Sequence, residues 1–123
     1  LSDGRSAAVL DFGINSLFTS FWYEHKVSPA QQLGQQTEET VLYGPLCMNI
    51  DVVRESIVMP LLEKGNQVVV HQVGAYNMTQ WMQFITLRPA IVMIAEDNST
   101  HVIRQPETME YIDSLEHVPA HLA

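Results

Sequence analysis

The chain has 123 residues, 46% of them apolar and 16% charged, which fits one globular domain and excludes a disordered chain. Fourteen acidic against six basic side chains give a formal charge of −8, so the basic footprint that phosphate backbones require is missing and nucleic acid is not an expected partner. One cysteine excludes an internal disulfide and any Cys-x-x-Cys metal spacing, and makes a reducing compartment, the cytoplasm, the expected location. From the N-terminus, the short apolar run Ala7–Phe12, bounded by Gly4 and Gly13, predicts a buried strand. Leu17–Trp22 carries Phe18, Phe21 and Trp22, aromatics that suit a pleated surface, and predicts an extended segment. Ser28–Thr40 is polar, Gln-rich and interrupted by Pro29 and Gly34, which predicts a surface loop. Thr40–Tyr43 and Leu46–Val53 are strand-like on either side of Gly44-Pro45, a pair that bends an edge or turns a corner.

The second half opens with a turn over Leu61–Asn66, followed by the β-branched run Gln67–Val73, the clearest strand in the sequence. Beyond Gly74, the spacing of Met78, Trp81, Met82 and Ile85 predicts a short helix, which Arg88-Pro89 stops. Pro89–Ala95 predicts a buried strand that pairs with Thr100–Arg104 across the four-residue turn Glu96–Ser99. Pro106–His117 predicts an amphipathic helix, with Glu107 and Glu110 near its positive end and Met109, Ile112 and Leu115 recurring every three residues. The expected fold is mainly β, a sandwich or Greek-key-like partly open barrel, with a short helix after Gly74 and the C-terminal amphipathic helix. No apolar run approaches the roughly 20 residues that span a bilayer, so no membrane partner is expected. Leu1–Arg5 does not resemble a signal peptide, and the start without Met predicts a piece of a longer protein.

Several residues can carry chemistry, each with a plainer reading beside it. Cys47 is either a small buried hydrophobe or, re-aimed by the Gly44-Pro45 bend, a reactive thiol. Asp51, four residues on, shares a strand face with Cys47 by the period of two, and is either an orienting acid or a solvated edge charge. Gly74-Ala75-Tyr76 allows close backbone approach, and the amides of a helix start there can hold a phosphate. Tyr23-Glu24-His25 sets a phenol, a carboxylate and an imidazole side by side, either a site or the polar end of an aromatic strand. His117 and His121 have helical spacing, but Pro119 lies between them and no third ligand is near, so no metal site is expected. Trp81, Met82 and Phe84 are most simply core.

The order of Leu10-Asp11-Phe12-Gly13-Ile14-Asn15, Tyr23-Glu24-His25, Gly44-Pro45-Leu46-Cys47-Met48-Asn49-Ile50-Asp51, Leu62-Glu63-Lys64-Gly65-Asn66, Gly74-Ala75-Tyr76 and Arg88-Pro89-Ala90 resembles the C-terminal β domain of the pyridoxal-phosphate-dependent ornithine and diaminopimelate decarboxylases, enzymes with the alanine-racemase-like fold. The resemblance covers essentially all of residues 1–123. It implies a preceding (β/α)8 barrel that carries the lysine forming the cofactor's Schiff base, a pyridoxal 5'-phosphate cofactor, an amino-acid substrate and a homodimer. It implies that Cys47 crosses the dimer interface and returns a proton to the substrate's α-carbon after CO2 leaves. Tyr76, with Gly74, would contact the cofactor phosphate, Tyr23 and Glu24 would meet the substrate's distal amine, and Asp51 would sit at the interface. Lys26 and Lys64, the only lysines here, do not suit a desolvated Schiff-base role, so the fragment is expected to be inactive alone.

Two features depart from that pattern. Met48 follows Cys47 where the family places Glu or Asp, and Thr19-Ser20 stands where diaminopimelate decarboxylases place Arg-Pro. Together they imply a substrate whose distal end carries less charge than that of diaminopimelate. The alternative reading is a non-catalytic homologue or binding module that keeps the fold for protein interaction.

Overall fold

The computed structural model describes residues 1–122, which divide into two compact units, the first Leu1–Met82 and the second beginning at Gln83. The fold is mainly β, as the sequence predicts. The first unit contains β1 (Ser6–Val9), a 3-10 helix (Phe18–Phe21), β2 (Val27–Pro29), β3 (Thr37–Tyr43), β4 (Val52–Pro60) and β5 (Val68–Val70). Its strands make two sheets, one ordered β1-β3-β4 and one pairing β2 with β5. The second unit contains the hairpin β6 (Ile91–Ile94) and β7 (Thr100–Arg104), then α1 (Met109–Asp113). The three sheets are not closed into a barrel.

In the larger sheet β1 runs parallel to β3, pairing Ser6 with Thr40 and Val9 with Tyr43, while β4 runs antiparallel to β3. The ladder between β3 and β4 shifts register between Thr40 and Leu42 and again between Leu42 and Tyr43, a bulged stretch around Arg54. Between the two sheets lies the core: Leu17, Val27, Leu42, Val53 and Met59 are buried together, with Leu10, Phe12, Ile57, Val68 and Val70 packed around them. Fully burying side chains of this size contributes about 1.5–3 kcal/mol each.

Several expected elements change. The aromatic segment Leu17–Trp22 is helical and not extended: Ser16 and Leu17 donate backbone N–H groups to the Gly13 carbonyl, and Phe18 stacks on Phe21 and meets Trp22 edge-to-face. Those are i+3 and i+4 partners, the contacts a helical turn makes. The predicted loop Ser28–Thr40 shrinks, because Ser28 and Pro29 belong to β2 and β3 begins at Thr37. Leu46–Val53 is a strand only from Val52 onward, and the polar centre Arg54-Glu55-Ser56, which breaks the apolar pattern, lies within the nine-residue β4 because pairing with β3 overrides local preference. The short helix predicted over Met78–Ile85 does not form; residues 77–79 are turns.

In the second unit the hairpin forms as predicted, with Ala95 and Ser99 bonded across the turn at 2.9 Å and Asn98 at φ 62°. Its strands are not buried, however, and neither is the Ala7–Val9 part of β1, where burial alternates between half-buried and exposed. The amphipathic helix Pro106–His117 contracts to Met109–Asp113, with Thr108 as N-cap, its hydroxyl accepting the Tyr111 N–H at 3.2 Å. His117 and His121 lie beyond that helix. Glu107 ties this unit together. Its carboxylate accepts from the Gln83 side chain at 2.9 Å, the Arg88 N–H at 3.0 Å and the Arg88 guanidinium at 3.2 Å, while its own N–H donates to the Arg88 carbonyl. The Gln83 amide, with help from Arg88, holds the Glu107 carboxyl below the usual carboxylate range.

Candidate active site

Cys47 sits on the loop that joins β3 to β4, exposed and unpaired. It shares no strand face with Asp51, since residues 44–51 form no strand, and Asp51 is not a solvated edge charge: it is 2% exposed. The Asp51 carboxylate accepts the Ile14 N–H at 2.8 Å and the Leu46 N–H at 2.7 Å, and its carbonyl accepts the Gly44 N–H at 2.9 Å. Gly13 and Gly44 flank that carboxylate so closely that a Cβ on either would collide with it. This is why the chain carries glycine at both places. A charged acceptor bonded by amides from two separate loops fixes the Cys47 loop against the turn that follows β1.

The segment after β5 builds a second feature. Asn77 donates its N–H to the Ala75 carbonyl at 2.9 Å, enclosing Tyr76, whose φ is 66°. A positive-φ residue inside a three-residue turn is a rare, strained arrangement, and here it presents an exposed phenol. Among the described residues no acceptor bonds the amides of Gly74, Ala75 or Tyr76. A Cβ on Gly74 would meet nothing within 4 Å, so the backbone there faces open space. The helix start expected to supply phosphate-binding amides is absent; the same donors come from an irregular turn.

Behind Tyr76 lies a buried polar network. Asn77, 3% exposed, donates Nδ2–H to the Val73 carbonyl at 2.8 Å. Its Oδ1 accepts from the Thr19 N–H at 3.3 Å and the Thr19 hydroxyl at 2.9 Å. Thr19, 1% exposed, also lies 2.7 Å through its hydroxyl from His25 Nε2. The network therefore joins the 3-10 helix, the stretch before β2 and the Tyr76 turn. At its edge is a cavity of about 390 Å³ lined by Thr19, Tyr23, Glu24, His25, Lys26, Gln72, Ala75 and Tyr76. The structure thus brings Tyr23, Glu24 and Tyr76 to one opening, although 51 positions separate Glu24 from Ala75 in sequence. It does not bring Cys47 there. Glu24 is exposed and pairs with Arg54 of β4 at 3.1 Å, an open ion pair worth no more than about 1 kcal/mol and readily exchanged for another cation. Asn77, Thr19 and Arg54 carry no signal of this role in sequence, because each acts through partners far away along the chain.

Residues 2–74 match the family described as the C-terminal sheet domain of pyridoxal-dependent decarboxylases. Over 121 residues the chain is 30% identical to a diaminopimelate decarboxylase of Helicobacter pylori, a match covering 94% of this chain and 29% of that protein. It is 29% identical over 100 residues to a lysine/ornithine decarboxylase of Selenomonas ruminantium, covering 80% of this chain and 25% of that protein. A crystal structure of a diaminopimelate decarboxylase superposes with a TM-score of 0.82 at 26% identity, covering 91% of this chain and 30% of that one. One from M. jannaschii shares the fold, with a TM-score of 0.84 at 23% identity, covering 95% of this chain and 27% of that one. The chain spans under a third of the length of these relatives. The chain belongs to the pyridoxal-dependent decarboxylase C-terminal sheet domain family.

Proposed function

We propose that the full-length protein is a pyridoxal-phosphate-dependent amino-acid decarboxylase, that this chain supplies half of its active site, and that the other half is a barrel domain bearing the cofactor lysine. The Gly74–Tyr76 turn carries this reading: three unbonded amides and an exposed phenol, held by a strained backbone, match the acceptor oxygens of a phosphate. Tyr76 and the amides from Gly74 onward would hold the cofactor through that phosphate. When bound, the cofactor supplies an electron sink for the carbanion left as CO2 departs.

This chain's residues have three tasks. Tyr23 and Glu24 line the opening beside Tyr76 and receive the distal end of the amino acid, with Glu24 leaving Arg54 as it does so. Cys47 returns a proton to the α-carbon: its S–H bond breaks, the C–H bond forms, and the thiolate remains for reprotonation by water. Because Cys47 lies outside the Tyr76 cavity of its own chain, it serves the partner's site across a homodimer interface. Asp51 supports that interface from within, by holding the loop on which Cys47 stands.

The test is Cys47→Ala in the full-length protein. Turnover is expected to fall by about 10²–10⁴-fold, the usual contribution of a positioned proton donor, with the cofactor's absorbance intact. Unchanged turnover removes Cys47 from the mechanism, and lost absorbance assigns it to cofactor binding instead.

A further inference from the structure

The polar network beside the cavity fixes more than shape. The two ends of the Asn77 amide are told apart by their partners, since one faces the Val73 carbonyl, which only accepts, and the other faces the Thr19 N–H, which only donates. Asn77 Oδ1 is therefore the acceptor of the Thr19 hydroxyl, and that single hydroxyl proton is used. What remains on Thr19 Oγ1 is lone-pair capacity, so His25 Nε2, 2.7 Å away, must donate to it. A neutral imidazole with a proton on Nε2 has a bare Nδ1. Among the described residues Nδ1 has no hydrogen-bond partner.

We propose that His25 is a substrate-binding residue of this cavity: a neutral imidazole locked as the Nε2–H tautomer, whose Nδ1 accepts a hydrogen bond from the distal ammonium of an amino acid. Thr19 and Asn77 are the positioning residues that set the tautomer. The assignment deepens the decarboxylase reading and rests on it for the substrate class. Glu24 lines the same cavity and suits that end of it to a cation, because its present partner is a guanidinium that an ammonium can replace; Lys26, also on the lining, is the competing charge. Thr19, which stands where diaminopimelate decarboxylases place arginine, is buried with its hydroxyl committed on both sides and gives a distal carboxylate no donor. His25 is the second acceptor that a lone Glu24 would otherwise lack.

The tautomer is read in the full-length protein with 15N-labelled histidine, the His25 signals being identified by their loss in His25→Gln. The expected result is an unprotonated Nδ1 and a protonated Nε2, preserved in Thr19→Ser and scrambled in Thr19→Val. Adding 1,5-diaminopentane should shift the Nδ1 resonance. His25→Gln keeps a donor near Nε2 but loses Nδ1, and should raise KM for the amino acid turned over by about ten- to a hundredfold, the effect of one lost bond to a charged group, while kcat falls far less. His25→Asn, which offers an acceptor near the Nδ1 position, should recover most of that loss. A protonated Nδ1 in the neutral ring, or His25→Gln with unchanged KM, overturns the proposal. If no amino acid is decarboxylated while diaminopentane still shifts Nδ1, the enzymatic reading fails and the ammonium site stands.

Discussion

The two units of the chain use apolar residues in opposite ways. In the first, Leu17, Val27, Leu42, Val53 and Met59 close on one another, and five polar side chains, including Thr19, Asp51 and Asn77, are buried beside them with hydrogen-bond partners for those three. In the second, no described residue is buried; Val92, Met93 and Ile94 of β6 and Val102 and Ile103 of β7 are all exposed, and Glu107 does the joining through polar contacts. An apolar run thus records that a segment is to be covered, and leaves open whether its own unit covers it. The candidate site follows the same division, for all its residues lie in the unit that has a core.

That contrast can be broken by substitution. Leu42→Ala should cost about 2–5 kcal/mol, the usual result of emptying a fully buried site, and would be read as a fall in the urea midpoint. Asp51→Ala should come next. It leaves the Ile14 and Leu46 amides without their acceptor, at about 1–3 kcal/mol for each buried group left unpaired. Gly44→Ala should act on the same contact, so the double variant should lose much less than the two single effects combined. Gly34→Ala, where a Cβ meets open space, is the control that should change little. Smallest of all should be Val102→Ala, within about 0.5 kcal/mol if the exposed hairpin is as thinly supported as its burial indicates. An effect as large as that of Leu42→Ala would mean that something covers β7 in the protein tested.

Acid should probe the second unit through Glu107. The Glu107 carboxyl is held below its ordinary range when folded, so its contribution is complete above the unfolded glutamate value and disappears as pH falls through the lower, folded one. Amide NMR shifts of residues 83–122 should therefore move together in that acidic window. In Glu107→Gln the step should vanish, and a step that persists would assign it to another carboxylate.

Much of the fold could be read from local pattern where pattern and tertiary need agree. The β-branched run around Val68–Val70 and the hairpin over Glu96–Ser99 are of this kind. It failed where a distant partner decides. Leu46–Val53 looks like a strand and becomes one only from Val52, running on through Arg54-Glu55-Ser56 because β3 lies alongside; Phe18, Phe21 and Trp22 look pleated and form a helical turn, because Gly13 gathers the preceding amides. The site divides similarly. Cys47, Tyr76, Tyr23 and Glu24 stand out by residue type and motif, whereas Asn77 and Arg54 become visible only once residues remote in sequence are side by side. Asp51 was legible as a motif residue and illegible in its action, since nothing local shows that its carboxylate points at Ile14.

The parallel pairing of β1 with β3 has a consequence for the order of assembly. Antiparallel β3 and β4 are joined by a short loop and can meet early, whereas β1 must close the long excursion through residues 10–36 before its ladder returns any free energy. That excursion holds the 3-10 helix, Tyr23 and His25, and its first turn carries the Ile14 amide that Asp51 receives. Docking of one four-residue edge strand is thus the event on which the cavity and the cysteine loop both wait. During refolding the Ile14 amide should gain its exchange protection with the slow docking of β1 and not with the faster formation of the β3–β4 ladder.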